Sequence, residues 1–133
     1  MRLIVGGSSK FGKYLLDNSI KNRVLTYSTF NNTKIKEGLN NKEKKSYADV
    51  FFKCDLSCSD SISRFLDEFQ TKVEACRQIV FCASLQSKRK NFAEFSHEDF
   101  LESYKVNFLS TVQIIKFLTP MLSTSYKPSI VII

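Results

Sequence analysis

Tryptophan is absent from this 133-residue sequence, histidine occurs once, and glycine and proline are scarce, at 4 and 2 residues. So few glycines and prolines exclude collagen-like and low-complexity chains. No apolar run is long: residues 79–83 and 130–133 are the longest uninterrupted stretches, far short of the roughly 20 residues a bilayer requires. Neither a membrane span nor a membrane partner is expected. Only Leu3, Ile4 and Val5 separate Arg2 from the first glycines, too few for the apolar segment of a secretory signal. The four cysteines, Cys54, Cys58, Cys76 and Cys82, are spaced as C-x3-C and then C-x5-C, and His97 stands far from them. No common zinc pattern has that spacing, so no metal site is expected. Reduced thiols without a leader point to a cytoplasmic chain.

What is present is ordinary for a globular protein: 43% apolar and 25% charged residues, with enough chain for one core that needs no disulfide or metal. The net charge of +7 raises the question of a polyanion partner. Lysines dominate it, and many fall in two polar stretches: Lys34, Lys36, Lys42, Lys44 and Lys45, then Lys88, Arg89 and Lys90. Nucleic-acid readers combine Arg forks with stacking aromatics, and the 31–47 stretch has no aromatic before Tyr47. These runs are read as solvated loops, and no nucleic-acid partner is expected.

Five short β-branched or aromatic runs, at residues 3–5, 24–27, 50–54, 79–82 and 130–133, read as strands. They are almost entirely apolar, which means both faces are covered, as in a parallel sheet between helical layers. Helices are expected over 11–21, with Phe11, Leu15 and Leu16 on one face; over 59–75, with Ile62, Phe65, Leu66, Phe69 and Val73; and over 97–122, with Phe100, Tyr104, Phe108, Ile115 and Leu118. Ser96 and Asp99 form a capping box for the last of these, and Pro120 is expected to kink or end it. Residues 31–47 read as a long loop. Alternating strands and helices imply right-handed crossovers and a doubly wound α/β sheet.

Three of the four glycines, Gly6, Gly7 and Gly12, fall within seven residues where the first strand passes into the first helix. A phosphate held there needs a tight turn, close backbone approach and the free N–H groups of a helix N-terminus. No Gly-Lys-Ser/Thr follows, so this is not a P-loop. The stretch Gly6-Gly7-Ser8-Ser9-Lys10-Phe11-Gly12 resembles the G-x-x-x-G-x-G loop of the short-chain dehydrogenase/reductase family, with Lys10 in place of the middle glycine. Further matches follow in order. Asp55-Leu56 resembles the family's Asp-Val/Leu pair beside the adenine. Phe81-Cys82-Ala83-Ser84 occupies the place of its Asn-Asn-Ala-Gly motif with Ala83 retained, and Val106-Asn107 resembles its Val-Asn.

The resemblance implies a Rossmann-type sheet of order 3-2-1-4-5, here the N-terminal, cofactor-binding half of a larger domain whose C-terminal strands are missing. It implies an NAD(P)-dependent oxidoreductase moving hydride between the cofactor and an alcohol or carbonyl substrate, usually as a homo-oligomer. Cofactor would be held by Gly6, Ser8, Ser9, Lys10, Phe11, Gly12, Ser28, Thr29, Asp55, Leu56, Cys82, Ala83 and Ser84. Asn107 is the one catalytic-constellation residue carried over. No acid occurs over residues 26–36. A carboxylate after the second strand marks NAD binders, so NADP is expected before NAD, with Ser28, Thr29, Asn31 and Lys34 or Lys10 near the 2′-phosphate. No tyrosine of this chain is followed by lysine four places on, so the family's Tyr-x-x-x-Lys is missing and the polypeptide alone is expected to be inactive. The alternative is a non-catalytic module that senses nucleotide or binds a partner. A Ser-His hydrolase would need His97, which the helix start claims.

Overall fold

The apolar runs become strands of one parallel sheet. β1 (Arg2–Val5), β2 (Thr26–Phe30), β3 (Phe51–Lys53), β4 (Gln78–Phe81) and β5 (Ser129–Ile132) lie in the order β3-β2-β1-β4-β5. Every pairing is parallel, with Ile4 beside Ser28 on one side and Val80 on the other. This is the doubly wound order expected. The computed structural model describes residues 1–31, 51–85 and 92–133. The 31–47 loop beyond Asn31, with its lysines, the first residue of the 50–54 run and the Lys88-Arg89-Lys90 knot therefore lie outside the described residues.

Helices cover both faces: α1 (Lys10–Lys21) on one, and α2 (Ser59–Lys72) and α4 (Ser110–Ser123) on the other, while α3 (His97–Tyr104), which leads into α4, buries no residue. Period-two alternation assigns the strand residues. Leu3, Val5, Ile79 and Phe81 pack with Ile62, Phe65, Phe69, Ile114 and Leu118 beneath α2 and α4, while Ile4, Val80 and Cys82 meet Leu16 of α1. Phe52, Phe65 and Phe69 hold the larger layer with ring centroids 5.5 to 5.8 Å apart, each burial contributing about 2 to 3 kcal/mol.

Several expectations shift. β2 starts at Thr26 rather than Val24, because α1 closes through Arg23 in the left-handed region (φ 55°) and Val24 N–H donates to Ser19 O at 2.8 Å. Val24 and Leu25 are thereby left exposed in the turn. In α1 the buried residues are Gly12, Leu16 and Ser19, and Phe11 is exposed. α2 stops at Lys72, since Val73 is already extended. The 97–122 segment is interrupted by a π turn at Lys105–Leu109, in which Ser110 N–H donates to Lys105 O, five residues back. Phe100, Tyr104 and Phe108 are exposed rather than core, and the buried stripe is Ser110, Ile114, Leu118 and Leu122. The Ser96–Asp99 capping box is formed. Pro120 lies in the last turn, and the helix runs on past it to Ser123 instead of ending there.

A left-handed conformation strains any residue with a Cβ, and the residue closing a helix this way is usually glycine. Arg23→Gly is expected to stabilise the fold by about 1 kcal/mol, seen as a higher urea midpoint at unchanged slope. A lower midpoint would contradict this.

Candidate functional site

The turn from β1 into α1 is built against its neighbours. Gly6 has φ 90°, and a Cβ there would meet Ala83 N and Cβ at 2.5 Å, so the turn passes directly against the exit of β4. Gly6 N–H donates to Thr29 Oγ1 at 2.9 Å and Gly7 N–H to Thr29 O at 2.9 Å. Ser28 Oγ donates to Ile4 O at 3.0 Å and occupies the space a Gly7 Cβ would need. Ser9 caps α1, its Oγ accepting from Gly12 N–H at 3.0 Å. Among the described residues, the N–H groups of Ser8, Lys10 and Phe11 have no acceptor. They surround a helix N-terminus with no acid in its first turn, an arrangement that favours an anion.

Above this turn, at the carboxyl ends of β1 to β4, lies an open cleft of about 520 Å³, within the size range of small-molecule sites. It sits where the chain reverses direction of winding, between β1 and β4, the usual ligand position of such sheets. Of the expected residues, Gly6, Ser8, Ser9, Thr29, Asp55, Leu56, Ala83 and Ser84 line it. Lys10, Phe11 and Gly12 follow in the first turn of α1 and do not line it. Ser28 does not line it: β2 runs on to Phe30, so Ser28 is fully buried inside the sheet beneath Gly7. Thr29 is also buried, its hydroxyl held by Gly6. Cys82 is buried with Ile4, Leu16 and Val80 on the α1 face.

Sequence reasoning missed Phe30, Cys54, Ser57, Leu85 and Glu102 in the cleft wall. The 24–27 strand expected for β2 stopped short of Phe30; a strand read to its true end would have placed Phe30 and Asn31 at the carboxyl edge. Glu102 stands four residues before Val106 and shares its helix face.

Asp55 opens the loop into α2. Its Oδ1 accepts from Ser57 Oγ at 2.7 Å and Ser57 N–H at 2.9 Å, and these bonds, with one from Asn31, hold its carboxyl below the usual carboxylate range. Asn107 lies in the π turn and clamps the segment after β4: its Oδ1 accepts from Leu85 N–H at 2.7 Å, and its Nδ2 donates to Leu85 O at 3.2 Å and Ser103 Oγ at 3.0 Å. It stands behind the cleft wall, not in it.

The cysteines are all free; Cys54, Cys76 and Cys82 are buried and Cys58 is exposed. Burial pushes the Cys54 thiol up to about 12. The stability gained by burying it un-ionised is complete below the unfolded thiol's value of 9.0 and is lost as pH rises from there toward 12. Under native conditions a disulfide reagent is expected to label Cys58 rapidly and the other three only as fast as the protein opens. Rapid labelling of two or more thiols would contradict this. Among the described residues, no three His, Cys, Asp or Glu side chains converge as a metal site, and no helix is long and apolar enough to cross a membrane.

A family model described as short chain dehydrogenase matches residues 1–133. No curated protein matches. Among solved structures, a short chain dehydrogenase from Shigella flexneri 2a complexed with NADP superimposes with TM-score 0.83 at 15% identity, covering 98% of this chain and 56% of that one. An oxidoreductase of the short chain dehydrogenase/reductase family from Brucella ovis, in complex with a partially ordered NAD, gives 0.78 at 16% identity, covering 97% and 60%. A short chain dehydrogenase/reductase from Saccharomyces cerevisiae gives 0.77 at 20%, covering 99% and 52%. The chain spans a little over half the length of these structures.

Proposed function

The chain belongs to the short chain dehydrogenase family, and from that premise we propose that its cleft binds a nicotinamide dinucleotide, as the cofactor-holding part of an NAD(P)-dependent oxidoreductase acting on an alcohol or carbonyl. The observation that carries this is the trio of acceptor-free N–H groups, Ser8, Lys10 and Phe11, at the N-terminus of α1 below the cleft. They would hold the diphosphate. Thr29, Phe30 and Asn31 at the end of β2 would meet the adenosine ribose, and Asp55 and Leu56 the base. The nicotinamide, when bound, supplies the hydride chemistry. The residues present here bind and orient: Gly6 lets the turn approach β4, and Asn107 fixes the Ser84–Leu85 wall.

NADP(H) is favoured over NAD(H), since no acid over residues 26–36 would repel a 2′-phosphate. Titration of the intact chain with NADPH and NADH, followed by calorimetry, is expected to give binding of both, tighter for NADPH. Binding of neither would overturn the proposal.

Without Tyr-x-x-x-Lys, the polypeptide holds cofactor but does not turn over carbonyls. Carbonyl reduction by this polypeptide that disappears in Asn107→Ala would contradict that. A homo-oligomer is proposed from the exposed apolar residues Phe100, Tyr104 and Phe108 and from β5, whose Ile130 and Ile132 are also exposed. A concentration-independent monomer in sedimentation would rule it out.

A further inference from the structure

The carboxyl end of β2 gives three residues to the cleft wall, Thr29, Phe30 and Asn31. In doubly wound sheets that bind NAD, an acid at this place accepts a hydrogen bond from the ribose 2′-hydroxyl. Here the last residue of β2 is Phe30, whose ring has no polar atom and meets Phe51 edge-on, with centroids 6.1 Å apart. A hydrogen bond from this strand to the ribose has to come from beside it.

Thr29 is the one hydroxyl of the described wall that is buried, with 1% of its surface exposed. Its Oγ1 accepts from Gly6 N–H and its carbonyl oxygen accepts from Gly7 N–H, both at 2.9 Å. Side chain and main chain are thus tied to the glycine turn, and the hydroxyl is held in place before any ligand arrives. That hydroxyl also has a proton to give, and among the described residues nothing accepts it. Its neighbour shows the contrast: Ser28 Oγ donates to Ile4 O at 3.0 Å, and Ser28 is no part of the wall. A buried donor without an acceptor is costly, and an acceptor supplied by the ligand removes that cost.

We infer that the Thr29 hydroxyl donates a hydrogen bond to the 2′-oxygen of the adenosine ribose. The inference deepens the dinucleotide proposal above and rests on it. The polarity is the reverse of an acid at the strand end, because the protein gives the proton and the ligand accepts it. A 2′-hydroxyl and a 2′-phosphate ester both present an accepting oxygen, so the contact serves NAD(H) and NADP(H) alike. A ribose without the 2′-oxygen leaves the donor unpaired and is discriminated against.

The test compares ADP-ribose with the analogue lacking the adenosine 2′-hydroxyl, by calorimetry on the intact chain. The wild type is expected to prefer ADP-ribose about three- to tenfold, the span of one neutral hydrogen bond. Thr29→Ser is expected to keep that ratio. Thr29→Val is expected to bind both compounds more weakly, since Gly6 N–H loses its acceptor, and to bring the ratio close to one. A ratio that survives Thr29→Val, or a wild type that binds both compounds equally, overturns the assignment. Should Thr29→Val fail to fold, the Gly6 amide of the wild type decides by NMR. Gly6 N–H donates to the same hydroxyl, and a hydroxyl that donates in turn polarises the bond it accepts. The Gly6 amide proton is expected further downfield with ADP-ribose than with the 2′-deoxy analogue, and the same position in both complexes overturns the inference. Failure of the wild type to bind either compound, with thermal unfolding showing it folded, would instead defeat the dinucleotide proposal itself.

Discussion

Gly12→Ala is expected to cost about 3 kcal/mol of stability and to abolish dinucleotide binding. The added Cβ would fall on the Gly6 carbonyl oxygen and lie 2.8 Å from Gly7 Cα. Both are backbone, in a turn fixed from three sides. Gly6 N–H is held by Thr29 Oγ1, Gly7 N–H by Thr29 O, and Gly7 itself by the buried Ser28 hydroxyl beneath it. No flexible side chain can give way, so α1 must move off the sheet. That movement carries the Lys10 and Phe11 N–H groups with it and disperses the anion seat. For a domain of this size the loss corresponds to a fall of about 10 °C in Tm. A variant with unchanged Tm and unchanged NADPH affinity would show that the turn is not packed as described.

Asn107→Ala is expected to cost about 2 kcal/mol and to weaken dinucleotide binding about tenfold. Three side-chain bonds disappear together, two of them to the same residue, Leu85. Each contributes about 1 kcal/mol or somewhat less where solvent can replace it. The effect on binding arises because Leu85 and Ser84 are cleft wall, while Asn107 is not. Asn107 thus acts here by positioning, and thermal unfolding together with NADPH titration should register both losses. Loss of neither would contradict the clamp.

The sheet was legible from the sequence because β1 and β4, after their first residues, are apolar and buried on both faces, and because α2 carries an unbroken stripe from Ile62 to Phe69. The end of β2 was not. Ser28 and Thr29 look like polar turn residues, yet their hydroxyls satisfy Ile4 O and Gly6 N–H inside the sheet, a tertiary pairing that no local pattern carries. The π turn was likewise illegible, since Lys105–Leu109 has ordinary helix-forming composition and the extra residue shows only in which carbonyl Ser110 reaches. The exposed aromatics Phe100, Tyr104 and Phe108 keep helical spacing. Spacing reports a shared face without saying what covers it.

For the candidate site, the glycine turn and Asp55 followed from motif order, whereas Glu102 had no motif.

The central claim is that the N-terminus of α1 holds the diphosphate. Amide chemical shifts of the intact chain, followed by NMR during titration with ADP-ribose, test it most directly. The largest downfield movements are expected at the N–H groups of Ser8, Lys10 and Phe11, with smaller ones at Ala83 and Ser84. Saturable shifts that cluster elsewhere while these three amides stay in place would contradict it.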